Sequence, residues 1–160
     1  MIVWMSGEKQ GDCWDFVATH GGKILKSYWY ISLSARHEYF LLVKWMKQGR
    51  PIDIFLDSGA FTAFTQGVSI DIYEYIEFIK ENLDFIGHYA CLDAIGDAKR
   101  SFENQMIMEE QGLHPIPCFH YGEGFEYLDY YIENYDYIAI GGVAQIGKNH
   151  AVLTKWLDNC

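Results

Sequence analysis

The 160-residue chain is 50% hydrophobic and 21% charged, with a formal net charge of −10. That composition fits one domain spanning residues 1–160 with a sizeable core, and excludes a disordered or low-complexity chain. No apolar run is long enough to cross a bilayer and the amino end shows no signal-peptide pattern, so no membrane partner is expected and the cytoplasm is the default location. Charge is uneven: residues 1–50 hold seven Lys or Arg against four Asp or Glu, residues 51–160 five against eighteen. A basic nucleic-acid surface is therefore not advertised. If nucleic acid binds, Lys23, Lys26, Arg36, Lys44, Lys47 and Arg50 are the candidates for phosphate contact, although a solvated helix face is the plainer reading of Lys44 and Lys47.

In chain order, Ile2–Met5 reads as a first strand and Ile24–Ile31, rich in Tyr and Trp, as a second. A glycine-punctuated loop separates them, and Arg36–Lys47 has a helix pattern with Phe40, Val43 and Met46 facing in. The next segment, Ile52–Leu56, is an apolar run bounded by Gly49-Arg50-Pro51 and Gly59, the pattern of a buried parallel strand, and it delivers Asp57 at its carboxyl end. A helix then opens at Asp71, with Glu74 spaced for a capping box and Ile72, Tyr75, Ile76 and Ile79 on one face.

The same construction repeats. His88–Leu92 ends in Asp93, and the helix after it is capped by Asp97, runs through Ala98, Phe102 and Met106, and stops at Gly112. Pro115–Phe119 ends in His120, followed by a stripe of Leu128, Tyr131, Ile132 and Tyr135. Tyr137–Ile140 ends in Gly141-Gly142, and a last helix opens at Asn149 with Leu153, Trp156 and Leu157 inward. Six strand–helix units of this kind predict an α/β fold, an incomplete (β/α)8 barrel whose chemistry sits at the carboxyl ends of its strands.

Among the strand-end residues, an ionised carboxylate such as Asp93 can accept paired N–H donors from a purine edge. Phe61 offers a face on which a base can stack, a contact worth about 1–3 kcal/mol. Glycosidic chemistry needs one group at the sugar carbon and another to manage protons on the leaving base, and Asp57 can fill one of these roles. Taken singly, Asp57 and Asp93 could each be a turn former, Gly141-Gly142 a tight turn, and His120 a partner for a backbone carbonyl. The four cysteines have no CxxC spacing and no His pair nearby, and Cys91 and Cys118 lie inside apolar strands. Neither a disulfide, a metal site nor a cofactor is expected.

Asp57-Ser58-Gly59-Ala60-Phe61 resembles the Asp-Ser-Gly-Gly-Phe/Tyr signature of the tRNA-guanine transglycosylases. Leu92-Asp93 is similar to that family's strand-end aspartate, and Ala139–Ala144 to its Ala-Val/Ile-Gly-Gly-Leu-Ala segment. The resemblance covers roughly residues 52–147, and its compact spacing is closest to the small, phage-type members. It implies a TIM barrel that exchanges guanine for a 7-deazaguanine in tRNA or DNA. It further implies that Asp57 does acid/base work beside the glycosidic bond, and that Ser58 and Gly59 of the same signature, together with His120, belong to the base-binding residues. In the same way Phe61 stacks on the base, Asp93 reads the guanine edge, and Gly141 and Gly142 let the base approach the backbone. His120 stands where the tRNA enzymes have Gln before Gly.

The family's covalent nucleophile is an aspartate on a later strand, and no strand-end aspartate follows Gly142 here. The chain is therefore expected to be a shortened form that does not complete glycosyl transfer alone, and to self-associate or pair with a complementary chain through open sheet edges. Two other readings stay open. One is a barrel glycoside hydrolase using Asp57 and Asp93 as its carboxylate pair, and the other is a non-catalytic relative or partner subunit.

Overall fold

Side chains alternate between buried and half-buried along two short segments, Lys23–Ser27 and Asp53–Asp57, and these form the first pair of parallel strands. The computed structural model describes residues 4, 20, 23–33, 53–143 and 146–160. Strands β1 (Lys23–Ser27) and β2 (Asp53–Asp57) run in register from Lys23 opposite Asp53 to Ser27 opposite Asp57, so a hydroxyl and a carboxylate finish side by side. Strand β3 (Ile86–Tyr89) pairs with the other side of β2. Strands β4 (Cys118–His120) and β5 (Ala139–Gly141) form a second parallel pair with His120 opposite Gly141. One isolated parallel bridge, Ala90 to Ile116, joins the two sheets.

The helices are α1 (Tyr28–Leu33), α2 (Ala60–Thr65), α3 (Ile72–Glu81), α4 (Ala98–Glu110), α5 (Phe125–Asn134) and α6 (His150–Leu157). Asp71, Asp97 and Asn149 cap α3, α4 and α6 as expected, Asp71 accepting two backbone N–H groups of the first turn and Asp97 and Asn149 one each. Ile72, Tyr75, Ile76 and Ile79 form the buried face of α3 and pack under the first sheet with Ile24, Ile54 and Leu56.

The expected (β/α)8 barrel is overturned. Among the described residues five parallel strands make one sheet of three and one of two, and no barrel closes. Part of the reason is local: Pro115 and Pro117 flank Ile116 and have no N–H, so the ladder between the sheets shrinks to the Ile116 bridge. The strand expected at Ile2–Met5, of which only Trp4 is described, and the helix expected at Arg36–Lys47 lie outside the described residues.

Other expectations shift. The strand predicted for Ile24–Ile31 stops at Ser27, and Tyr28 turns into α1, where its ring lies 4.9 Å from that of Tyr75 and 5.1 Å from that of Phe78. Aromatic packing on α3 overrides the strand preference of this run. The buried face of α4 is Ser101, Asn104, Gln105 and Met108, while Phe102 is half-buried against the second core. Ile132 and Leu157, expected inside, are exposed, whereas Leu128, Tyr131 and Trp156 are buried around Phe119.

Candidate functional site

The carboxyl ends of β2, β3 and β4 bring Asp57, Asp93 and His120 to one rim, and each is held by identifiable contacts. At β2, Gly59 adopts φ 75, a left-handed conformation natural to glycine, and a Cβ there would collide with the Ser27 hydroxyl. Its N–H donates to Asp57 Oδ2 at 3.1 Å, and the Ala60 N–H reaches Ser58 Oγ at 3.4 Å. Ser58 and Gly59 thus fold the turn that presents Asp57. Burial pushes the Asp57 carboxyl above the ordinary carboxylate range; the Asp93 charge adds to this, while the Gly59 N–H and the Ser27 hydroxyl oppose it.

Asp93 is positioned from both sides by the polar face of α4. Asn104 Nδ2 donates to the Leu92 carbonyl at 2.7 Å, and the Ala94 N–H donates to Ser101 Oγ at 2.9 Å. These bonds pin the residues before and after Asp93, which explains why α4 buries polar residues. The Asp93 side chain is 15% exposed, yet its Oδ1 is fully covered with no hydrogen-bond partner among the described residues. Its Oδ2 lies 3.4 Å from His120 Nε2.

His120 is gripped at its other ring nitrogen. Glu123 lies 3.2 Å from Nδ1 through one oxygen and accepts the His120 backbone N–H at 2.9 Å through the other. Burial alone would lower the imidazole's pKa, but Asp93, Cys118 and Glu123 together hold its proton and push it up to about 12. Cys118 shares a strand face with His120 two residues on, and burial raises its thiol.

Gly141 lies beneath both side chains: a Cβ there would sit 2.7 Å from Cys118 Sγ and 2.8 Å from His120 Nε2. The missing Cβ thus makes room for these two side chains. Gly142, with φ 71, would place a Cβ 2.9 Å from the Tyr121 nitrogen and serves the turn after β5.

Asp93 also lines a cleft of about 600 Å³ between α2 and the start of α4. Phe64, Ile70, Ile95, Arg100 and Asn104 contribute to its walls. Phe61, expected to stack on a base, is exposed and not part of this lining; Phe64, one helical turn further on, is. The structure therefore brings Asp57, Asp93 and His120 together at the rim, but of the expected site residues only Asp93 lines this cleft; Asp57, Ser58, Gly59, Phe61, His120, Gly141 and Gly142 are not part of its wall.

Glu123, Cys118, Asn104 and Phe64 were not picked out by the sequence reading. The spacing of Cys118, His120 and Glu123, two residues and then three across a strand end, was the available signal. Asp93, Cys118 and His120 offer ligand atoms that all lie within 4.8 Å of one another. That grouping was missed because Asp93 comes from a different strand end than Cys118 and His120, a meeting that no short spacing reveals.

Comparison with known proteins gives no matching family model, no matching curated protein and no matching solved structure. No helix among the described residues is long and apolar enough to cross a membrane.

Proposed function

We propose that the Asp93 cleft binds a guanine-type base and that the chain belongs to a base-exchange system replacing guanine by a 7-deazaguanine in tRNA or DNA. The observation that carries this reading is Asp93 itself, a carboxylate clamped through its neighbour Leu92 on the wall of a cleft of about 600 Å³. An ionised carboxylate accepts paired N–H donors, and the ring N–H and exocyclic amine of guanine supply such a pair. Adenine lacks that pair.

Asp57 supports the chemical half of the reading. A carboxyl raised by burial and by a neighbouring carboxylate is suited to holding a proton for the departing base. It fills one of the two roles that glycosidic exchange requires. Phe64 supplies an exposed ring at the cleft, and Arg100 a cation for the phosphate of a nucleotide. The resemblance of residues 57–61, 92–93 and 139–144 to the transglycosylases supports the same assignment, without their barrel. Bases and nucleic acid meet in the cytoplasm, of a cell or of a phage-infected host, and the reading places the chain there.

Calorimetric titration of guanine, 7-deazaguanine and adenine tests it. The first two are expected to bind and adenine not, with Asp93→Ala weakening the affinity at least about ten-fold, the equivalent of one charge-assisted hydrogen bond. Absence of purine binding by the folded chain overturns the reading. Binding of oligosaccharides instead, lost in Asp57→Ala, would favour the carboxylate-pair hydrolase.

A further inference from the structure

We propose that Asp93, Cys118 and His120 form a binding site for a borderline-soft divalent transition metal, Zn²⁺ or its surrogate Co²⁺, with Glu123 orienting the histidine. One carboxylate oxygen, one cysteine sulfur and one imidazole nitrogen come together within 4.8 Å. In a tetrahedral zinc site, nitrogen and oxygen ligands stand about 3.4 Å apart, as metal–ligand bonds of about 2.0–2.2 Å require. His120 Nε2 and Asp93 Oδ2 are 3.4 Å apart. Their spacing is that of two ligands to one ion.

The surroundings supply what such a site needs beyond its ligands. A histidine that holds a metal through one ring nitrogen usually engages a carboxylate or carbonyl with the other, which fixes its orientation. Glu123 takes that place at Nδ1 and also grips the His120 backbone, leaving Nε2 turned toward Asp93. Gly141, without a Cβ, lets Cys118 Sγ and His120 Nε2 lean over β5 together. The mixed O, N and S set disfavours Mg²⁺ and Ca²⁺, which prefer all-oxygen shells, and three protein ligands leave a fourth position open. The inference goes beyond the proposed function and does not rest on it.

The test uses the untagged full chain, stripped with a chelator and titrated with Co²⁺. One Co²⁺ per chain is expected, with a thiolate-to-cobalt charge-transfer band that Zn²⁺ abolishes by displacement. Cys118→Ser should remove the band, whereas the double variant Cys13→Ser/Cys160→Ser should retain it. Glu123→Gln should keep the band and weaken Co²⁺ affinity about 10–100-fold, the usual effect of losing an orienting partner. Circular dichroism reports folding of each variant. No charge-transfer band in the folded wild-type chain, a band that survives Cys118→Ser, or unchanged affinity in Glu123→Gln overturns the proposal. A chain that binds Co²⁺ but no purine keeps this site and loses the base-binding reading.

Discussion

The sheet of β1–β3 rests on a broad aliphatic and aromatic core, from Ile24 and Leu56 through the face of α3 to Met108 and Leu113, whereas the β4–β5 pair rests on Phe119, Leu128, Tyr131 and Trp156. One region is buttressed by many fully buried side chains, each worth about 1.5–3 kcal/mol. The other depends on a few rings, with Phe119 and Trp156 stacked at 5.9 Å. The candidate site straddles the seam: Asp57 and Asp93 come from the first region, Cys118, His120 and Glu123 from the second. Besides the single backbone bridge, side-chain bonds cross this seam, Gln105 to the Pro115 carbonyl and the Tyr135 hydroxyl to Glu109.

The strongest way to break this contrast is Phe119→Ala. Loss of a fully buried ring is expected to cost about 3–5 kcal/mol. In hydrogen exchange, protection should fall first in β4, β5, α5 and α6, with β1–β3 retained. Leu56→Ala, expected to cost about 2–5 kcal/mol, should lower protection throughout. Equal loss across both sheets in Phe119→Ala would show one cooperative unit and remove the contrast.

A smaller effect is expected at the clamp. Asn104→Ala frees the buried Leu92 carbonyl, at a cost of about 1–3 kcal/mol, and releases the residue preceding Asp93. Guanine affinity should fall with it, and Asn104→Asp should not restore it, because a carboxylate has no N–H to donate. Wild-type affinity in Asn104→Ala would mean that Asp93 holds its place without α4.

Asp57 gives a pH signature. Its folded pKa lies above the unfolded value of 3.8, so between the two the folded state holds more protons than the unfolded one. Stability therefore declines as pH rises from the ordinary carboxylate range through the raised folded value, and the penalty is complete above it. Asp57→Asn keeps an acceptor for the Gly59 N–H and removes that decline. Urea unfolding over a pH series should show the variant gaining on the wild type as pH rises; parallel curves would mean that the carboxyl is not shifted.

Much of the local structure was legible. Asp71, Asp97 and Asn149 announced their helices because a cap is decided within four residues. The strand ends at Asp57 and His120 followed from apolar runs that stop at polar residues or glycine. The failures share a cause. The turn of Tyr28 into α1 depends on rings of α3 distant in sequence, and the polar buried face of α4 exists to satisfy Leu92, Ala94 and Pro115 backbone groups. An apolar period cannot see a helix buried by its hydrogen bonds. Sheet closure is likewise non-local: strand count suggested a barrel, and the prolines around Ile116 narrow the joint where closure would have to continue.

The smallest expected effect sharpens the contrast from the thin side. Ile132 belongs to the apolar stripe read from the sequence of α5, yet it is 56% exposed, while Leu128, one turn earlier, is 2% exposed against Phe119. If the second core is as narrow as these burials describe, Ile132→Thr should change stability by no more than about 0.5 kcal/mol, as for an ordinary surface position. Leu128→Ala should cost about 2–5 kcal/mol in the same urea titration. A loss above about 1 kcal/mol in Ile132→Thr would mean that something covers this face of α5 in solution. The same titration at two protein concentrations then separates self-association from burial within one chain, because only a dimer's midpoint moves with concentration.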